Sequence, residues 1–160
     1  MSRGIGNRLP DSVFKLLDGR DLAGRLGKAF LLTTVDPSGR PHPALLSYGE
    51  LLAMDRFRLR LAMYEKSRTV AHLKANGHFT LSLVEAGLAY YIKGRAASLP
   101  LMPKYPRLAR FEVAIEEILE DQAEDEEAGT RITSGITFEP GPGGRDLLKS
   151  WEEMLAALRS

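Results

Sequence analysis

The chain contains no cysteine. That absence removes thiol catalysis, disulfide bridges, iron-sulfur ligation and thiolate zinc sites together, and it suits a reducing compartment. Long apolar runs are missing too, since nothing approaches the ~20 residues a membrane-spanning helix requires. The first residues, Met1 to Arg8, hold no apolar signal core, so the expectation is a soluble, cytoplasmic protein without a membrane partner. Neither sign of charge dominates. Lys plus Arg number 22 against 21 Asp plus Glu, a formal charge of +1, so no global field attracts nucleic acid. Neither a GxGxxG turn after a strand nor a GxxxxGKS/T loop occurs, and the Rossmann and P-loop folds fail at the motif level. His42, His72 and His78 show no metal-ligand spacing and no HExxH, so no metal is expected.

What is present reads as one domain over residues 1–160, long enough to bury roughly 70 % of its unfolded surface. Pro10-Asp11-Ser12 leads into a short helix ended near Gly19. Lys28 to Val35 and His42 to Tyr48 form a hairpin around the turn Asp36-Pro-Ser-Gly39. After a turn near Met54-Asp55 comes a strand from Arg56 to Ala62, in which Phe57, Leu59 and Leu61 alternate with Arg56, Arg58 and Arg60. A helix over Val70 to Asn76 ends at Gly77, and alternating strands follow over His78 to Val84 and Leu88 to Ala97, with Gly94 marking a bulge or close approach. Three prolines exclude a central strand from Pro100 to Pro106. A strand resumes at Arg110 and changes register near Glu116-Glu117. Asp121 to Glu127 reads as an acidic loop and Arg131 to Phe138 as a last strand, with Ile132, Ile136 and Phe138 on one face. Leu147, Leu148, Trp151, Met154, Leu155 and Leu158 recur at helical spacing and give an amphipathic C-terminal helix over about 144–158. Seven strands in hairpin-like succession over about 28–139, with helices at both ends, predict a mainly β, closed antiparallel barrel.

One segment carries more chemistry than the others. A strand runs into Lys66-Ser67-Arg68-Thr69, which opens a helix. Ser67 is a good N-cap, and a helix N-terminus offers unpaired N–H groups and partial positive charge, to which Lys66 and Arg68 add full charges. This suits an anion, and equally a capped surface helix with solvated cations. No base stands beside Ser67, so it is not read as a nucleophile. Tyr64, Tyr90, Tyr91 and Tyr105 suit either a stacked ring or the core. No catalytic acid, base or nucleophile is evident, so catalytic residues are unassigned and the chain suits a cofactor that brings its own chemistry.

From about Lys28 to Phe138 the order of elements resembles the pyridoxamine 5'-phosphate oxidase-like, FMN-binding split-barrel family. The matching features are the hairpin with Asp36 to Pro41, the strand ending at Ala62-Met63-Tyr64, Lys66-Ser67-Arg68 opening the next helix, Asn76-Gly77, the strand Phe79 to Val84, and Tyr90 to Ala96. The resemblance implies a split barrel and a homodimer with two FMN sites at the subunit interface. It implies phosphate near Ser67 and Arg68, with Leu45, Leu46 and Ser47 and Leu61, Ala62 and Met63 along the isoalloxazine. The vitamin B6 enzymes of this family carry Ser-Arg-Lys at the helix start, where this chain has Ser67-Arg68-Thr69 with Lys66 on the other side. They also finish with an arginine-bearing segment that differs from the helix here. The chain is therefore more similar to the small members, some of which bind FMN and some a deazaflavin or haem. The expected function is an FMN-dependent oxidoreductase acting on an unidentified small molecule. The alternatives are a non-catalytic flavin-binding or stress-related module, a reductase using the deazaflavin F420, and a barrel that binds single-stranded nucleic acid through Arg56, Arg58 and Arg60.

Overall fold

The structure, a computed structural model, describes residues 2–121 and 130–160. Among these residues the strands are β1 (Ser2–Gly4), β2 (Lys28–Val35), β3 (Pro41–Ser47), β4 (Leu51–Ala53), β5 (Arg58–Tyr64), β6 (His78–Glu85), β7 (Leu88–Leu99), β8 (Leu108–Asp121) and β9 (Ile136–Thr137). The helices are α1 (Asp11–Leu17), α2 (Arg68–Asn76) and α3 (Gly144–Arg159). Seven strands follow one another in the order β3-β2-β6-β7-β8-β5-β4, all antiparallel, with β1 added to β8 and β9 to β2. The sheet curls so that alternate residues meet in a single core: Phe30 and Leu32, Leu59 and Leu61, Phe79, Leu81 and Leu83, Phe111 and Val113.

The expected antiparallel, barrel-like fold with flanking helices is observed, with three differences of detail. The ladder leaves β3 and β4 as its two ends, so the sheet is a curled half-barrel and not a closed ring. The seventh strand of the path is β4, not the segment from Arg131 to Phe138. Of that segment only Ile136–Thr137 pairs in a ladder, with β2, and Ile132, Ile136 and Phe138 are 36 to 40 % exposed and outside the core cluster. β5 begins two residues later than expected: Asp55 accepts a hydrogen bond from the Phe57 amide at 2.8 Å, holding the chain in a turn and leaving Phe57 exposed. Asp121 ends β8, and the rest of the expected acidic loop lies outside the described residues.

The two irregularities anticipated near Gly94 and Glu116 are one bulge. Lys93 pairs with Glu117 and Gly94 with Ile115, which leaves Glu116 as the extra residue. Glycine is required there, since a Cβ on Gly94 would lie 2.4 Å from the Ala114 carbonyl oxygen.

The arginines of the β5 region hold helices against this sheet. Arg56 pairs with Asp11 at 2.7 Å and lies 4.4 Å above the Phe14 ring, which fastens α1. Arg58 pairs with Asp55 at 2.7 Å. Arg60 donates to the Leu158 and Arg159 carbonyls at 2.8 and 3.3 Å and pairs with Glu112 at 3.0 Å. It thereby meets the partial negative charge at the C-terminal end of α3. The apolar stripe of α3 is buried through Trp151, Leu155 and Leu158 within this chain.

Candidate functional site

The junction between β5 and α2 is built by a short set of backbone bonds. The Ser67 amide donates to the Tyr64 carbonyl at 2.9 Å, and the Glu65 amide to the Arg107 carbonyl at 2.9 Å. Ser67 then caps α2: its hydroxyl accepts from the Val70 amide at 3.1 Å, and its carbonyl from Ala71 at 3.1 Å. At the other end Gly77, at φ 70, returns its amide to Leu73 and closes the helix. The Arg68 and Thr69 amides have no intrahelical acceptor, and the first turn of α2 carries no acidic residue.

Electrostatically the junction differs from the rest of β5. Lys66 and Arg68 are exposed, and neither has an ion pair or side-chain hydrogen bond among the described residues. Arg56, Arg58 and Arg60, by contrast, each have an ion-pair partner within the chain, as just described. Beside the junction lies a depression of about 500 Å³ lined by Tyr64, Glu65, Lys66, Pro106 and Arg107. Tyr64 is 73 % exposed. Arg107 is the functional candidate that the sequence did not suggest. It sits in a proline-rich connection, and only the pairing of Tyr64 with Leu108 brings it to Lys66.

The remaining expected site residues separate into two groups. Thr69, Leu46, Leu61, Ala62 and Met63 are at most 8 % exposed, so their side chains are packed in the interior; Leu46, Leu61, Ala62 and Met63 also run in sheet ladders, and the Ala62 amide donates to the Glu50 carbonyl at 3.0 Å. Ser47 directs both its amide and its hydroxyl to Glu50 Oε2, at 2.7 and 2.8 Å, in the turn after β3. Leu45 alone of its trio presents a side chain outward, 61 % exposed on terminal strand β3. Among the tyrosines, Tyr90 and Tyr91 donate to Glu120 and Asp121 at 2.8 and 3.2 Å, which leaves Tyr64 as the exposed ring.

Two other polar clusters are architectural. The His72 ring lies against Thr34 Oγ1 at 3.1 Å and edge-on to His42, 4.9 Å between centroids, tying α2 to the first hairpin. No group of three or more His, Asp or Glu among the described residues is arranged to hold a metal. Tyr48 is buried and donates to Glu85 at 2.9 Å, and Glu85 also pairs with Lys28. Burial, reinforced by the Glu85 charge, raises the Tyr48 hydroxyl well above its ordinary value of 10.0. Arg3 and Tyr90 hold Glu120 below the usual carboxylate range.

Comparison with known proteins fits this geometry. The sequence model of the pyridoxamine 5'-phosphate oxidase family matches residues 26–149, covering β3, β5 and the start of α2. The chain belongs to the pyridoxamine 5'-phosphate oxidase-like split-barrel family. The protein YclD of Bacillus subtilis strain 168, itself uncharacterized, is 32 % identical over 155 residues, covering 96 % of this chain and 97 % of YclD. Among solved structures, a Lactobacillus delbrueckii protein provisionally assigned as a pyridoxamine 5'-phosphate oxidase superposes with a TM-score of 0.58 at 17 % identity. That match covers 72 % of this chain and 98 % of the other. A structure named as an F420 reductase superposes with a TM-score of 0.52 at 16 % identity, over 69 % of this chain and 98 % of that one. At such identities the structures share the fold.

Proposed function

We propose that this protein is an FMN-binding oxidoreductase of the cytoplasm that works as a homodimer with the cofactor at the subunit interface. The observation that carries the reading is the unpaired Lys66 and Arg68 flanking a Ser67-capped helix start with two free amides, in a member of a flavin-binding family. This donor set fits a phosphate: Arg68 provides a forked charged donor, the Arg68 and Thr69 amides provide neutral ones, and no nearby carboxylate on the first turn opposes the charge. Bound FMN would supply hydride or electron transfer at its ring. The part of this chain is to hold the phosphate and to present the exposed Leu45 to the ring. The exposed Leu45 and Tyr64 give a second subunit apolar surface to cover.

A charge-assisted hydrogen bond contributes roughly 1.5 to 3 kcal/mol, so Arg68→Ala should weaken FMN binding about 10- to 150-fold. The measurement is a fluorescence titration of the cofactor-free protein, and unchanged affinity in the variant defeats the assignment. The visible spectrum of the purified protein, with mass analysis of released cofactor, identifies the flavin directly. Sedimentation at micromolar concentration tests the dimer, which a monomer would contradict. Sustained reduction of quinone or nitro acceptors by NADH or NADPH separates an oxidoreductase from a passive flavin-binding module.

A second reading exchanges FMN for F420. Two observations favour it: the shared fold with an F420 reductase, and the neutral Thr69 after Arg68, which leaves Arg68 as the one cation of the first helical turn. Parallel titrations with the two cofactors decide between them.

A further inference from the structure

The connection before β8 is two proline turns in succession. The Tyr105 amide donates to the Met102 carbonyl at 2.9 Å and the Leu108 amide to the Tyr105 carbonyl at 3.0 Å, so Pro103 and Pro106 each take the second position of a turn, where their fixed φ is preset. Lys104 and Arg107 take the third. Lys104 is held by Glu153 of α3, whereas Arg107 is exposed, with no ion pair or side-chain hydrogen bond among the described residues. The Glu65 amide, bonded to the Arg107 carbonyl at 2.9 Å, fastens this turn to the start of α2. A restrained backbone therefore holds an uncompensated guanidinium on the wall of the depression of about 500 Å³ that Lys66 also lines.

That depression offers cations and no free carboxylate. Of the Glu65 carboxylate, one oxygen is held by Lys74 and the other is buried. Tyr64 and Pro106 supply flat apolar wall. A flavin phosphate on Arg68 and the α2 amides makes no use of Arg107. Sites that hold an unphosphorylated adenosine ribose set a carboxylate against its 2'-hydroxyl, whereas an arginine at that place accepts a 2'-phosphate. A guanidinium also stacks on a flat base, which an ammonium does not.

We propose that the depression receives the 2'-phosphoadenosine end of NADPH, with Arg107 as the residue that selects NADPH over NADH and Lys66 beside it. The inference rests on the oxidoreductase reading above, which requires a hydride donor: NADPH gives one hydride to the flavin ring and leaves as NADP+, and water supplies the accompanying proton.

The test is calorimetric titration of the full-length protein, saturated with FMN, by adenosine 2',5'-bisphosphate and by adenosine 5'-monophosphate. The bisphosphate should bind at least about tenfold more tightly, the effect of one charge-assisted contact to the added phosphate. Arg107→Ala should bring the two affinities within about threefold of each other, and Arg107→Lys should restore part of the difference. With a quinone acceptor, kcat/KM should favour NADPH over NADH in the wild type, and Arg107→Ala should lose that preference through KM. Equal binding of the two nucleotides, or an unaltered ratio in Arg107→Ala whose circular dichroism matches the wild type, overturns the inference. An FMN titration of the same samples separates the two layers: FMN bound without a nucleotide preference defeats this inference alone, whereas absence of FMN binding, or of acceptor reduction with either donor, defeats the oxidoreductase reading and the inference with it.

Discussion

Gly49→Ala tests whether α3 is seated by steric fit against the turn after β3. A Cβ at residue 49 would lie 2.1 Å from Trp151 Cδ1, 2.2 Å from Cγ and 2.6 Å from Nε1, distances real Cβ contacts do not reach. Gly49 is not among the glycines with positive φ, so its backbone accepts alanine and the variant isolates the contact with the indole. The substitution alone would stabilise by about 0.4–1 kcal/mol through the unfolded chain, which makes a net loss more telling. Trp151 is 5 % exposed. A buried tryptophan covers roughly 150–250 Å², and at about 25 cal/mol per Å² its complete displacement would cost about 4–6 kcal/mol, an upper bound. A partial tilt of α3 forfeits part of that area, so the expected loss is about 2–4 kcal/mol. Trp151 is the only tryptophan, so urea denaturation followed by its emission reads stability and local environment together, and the native spectrum should shift to the red. Repeating the substitution in Trp151→Ala, with unfolding there and in the wild-type background followed by far-UV circular dichroism because that variant has no tryptophan, closes the cycle: without the indole, Gly49→Ala should cost less than about 0.5 kcal/mol. A loss below about 1 kcal/mol in the wild-type background, or the same loss in both, would refute the reasoning.

Other consequences follow from the same contacts. Gly94→Ala drives a Cβ against the Ala114 carbonyl in the middle of the β7–β8 ladder and should cost about 2–4 kcal/mol in thermal or urea unfolding. Arg60→Ala leaves the α3 carbonyls and Glu112 without their donor and should cost about 2–3 kcal/mol, while cofactor affinity stays at the wild-type level; a change in affinity would show that this strand face does reach the ligand. Because the Tyr48 hydroxyl is raised in the folded state, the stability from keeping it neutral is complete below pH 10 and is lost as pH rises above that value. One proton retained by the folded state gives a slope of about 1.4 kcal/mol per pH unit, so unfolding free energies measured above pH 10 should fall less steeply in Tyr48→Phe than in wild type.

Where a signal was local, the sequence was legible. The hairpin over β2 and β3, the Ser67 cap, the Gly77 stop and the alternation of β6 each depend on residues within a few positions of one another, and each is present in the structure. β4 escaped notice because three residues are too few to establish a period, and the strand expected at Arg131 to Phe138 was an apolar alternation that the sheet had no interior room to bury. The site divided along the same line. Exposure of Lys66 and Arg68 followed from their place at a helix start, whereas the burial of Thr69 and Leu46 and the engagement of Ser47 by Glu50 depend on packing and on a turn whose partner could not be named beforehand. Arg107 lies in a segment without periodicity, and its approach to Lys66 depends on the register of β5 against β8.

That register also explains why the cations of one strand serve two purposes. Arg58 and Arg60 lie opposite Ala114 and Glu112, so β8 supplies a carboxylate to balance them, and α3 covers what is left. Four residues beyond Arg60 the ladder ends at Tyr64–Leu108, and β8 has no acidic side chain there to offer Lys66 or Arg68. Positive charge therefore goes uncompensated where the ladder stops and α2 begins, at the place where free helix amides add to it. An anionic ligand is the partner that would satisfy such a junction, and the contrast between Arg60 and Arg68 variants distinguishes charge used to hold a helix from charge left for a phosphate.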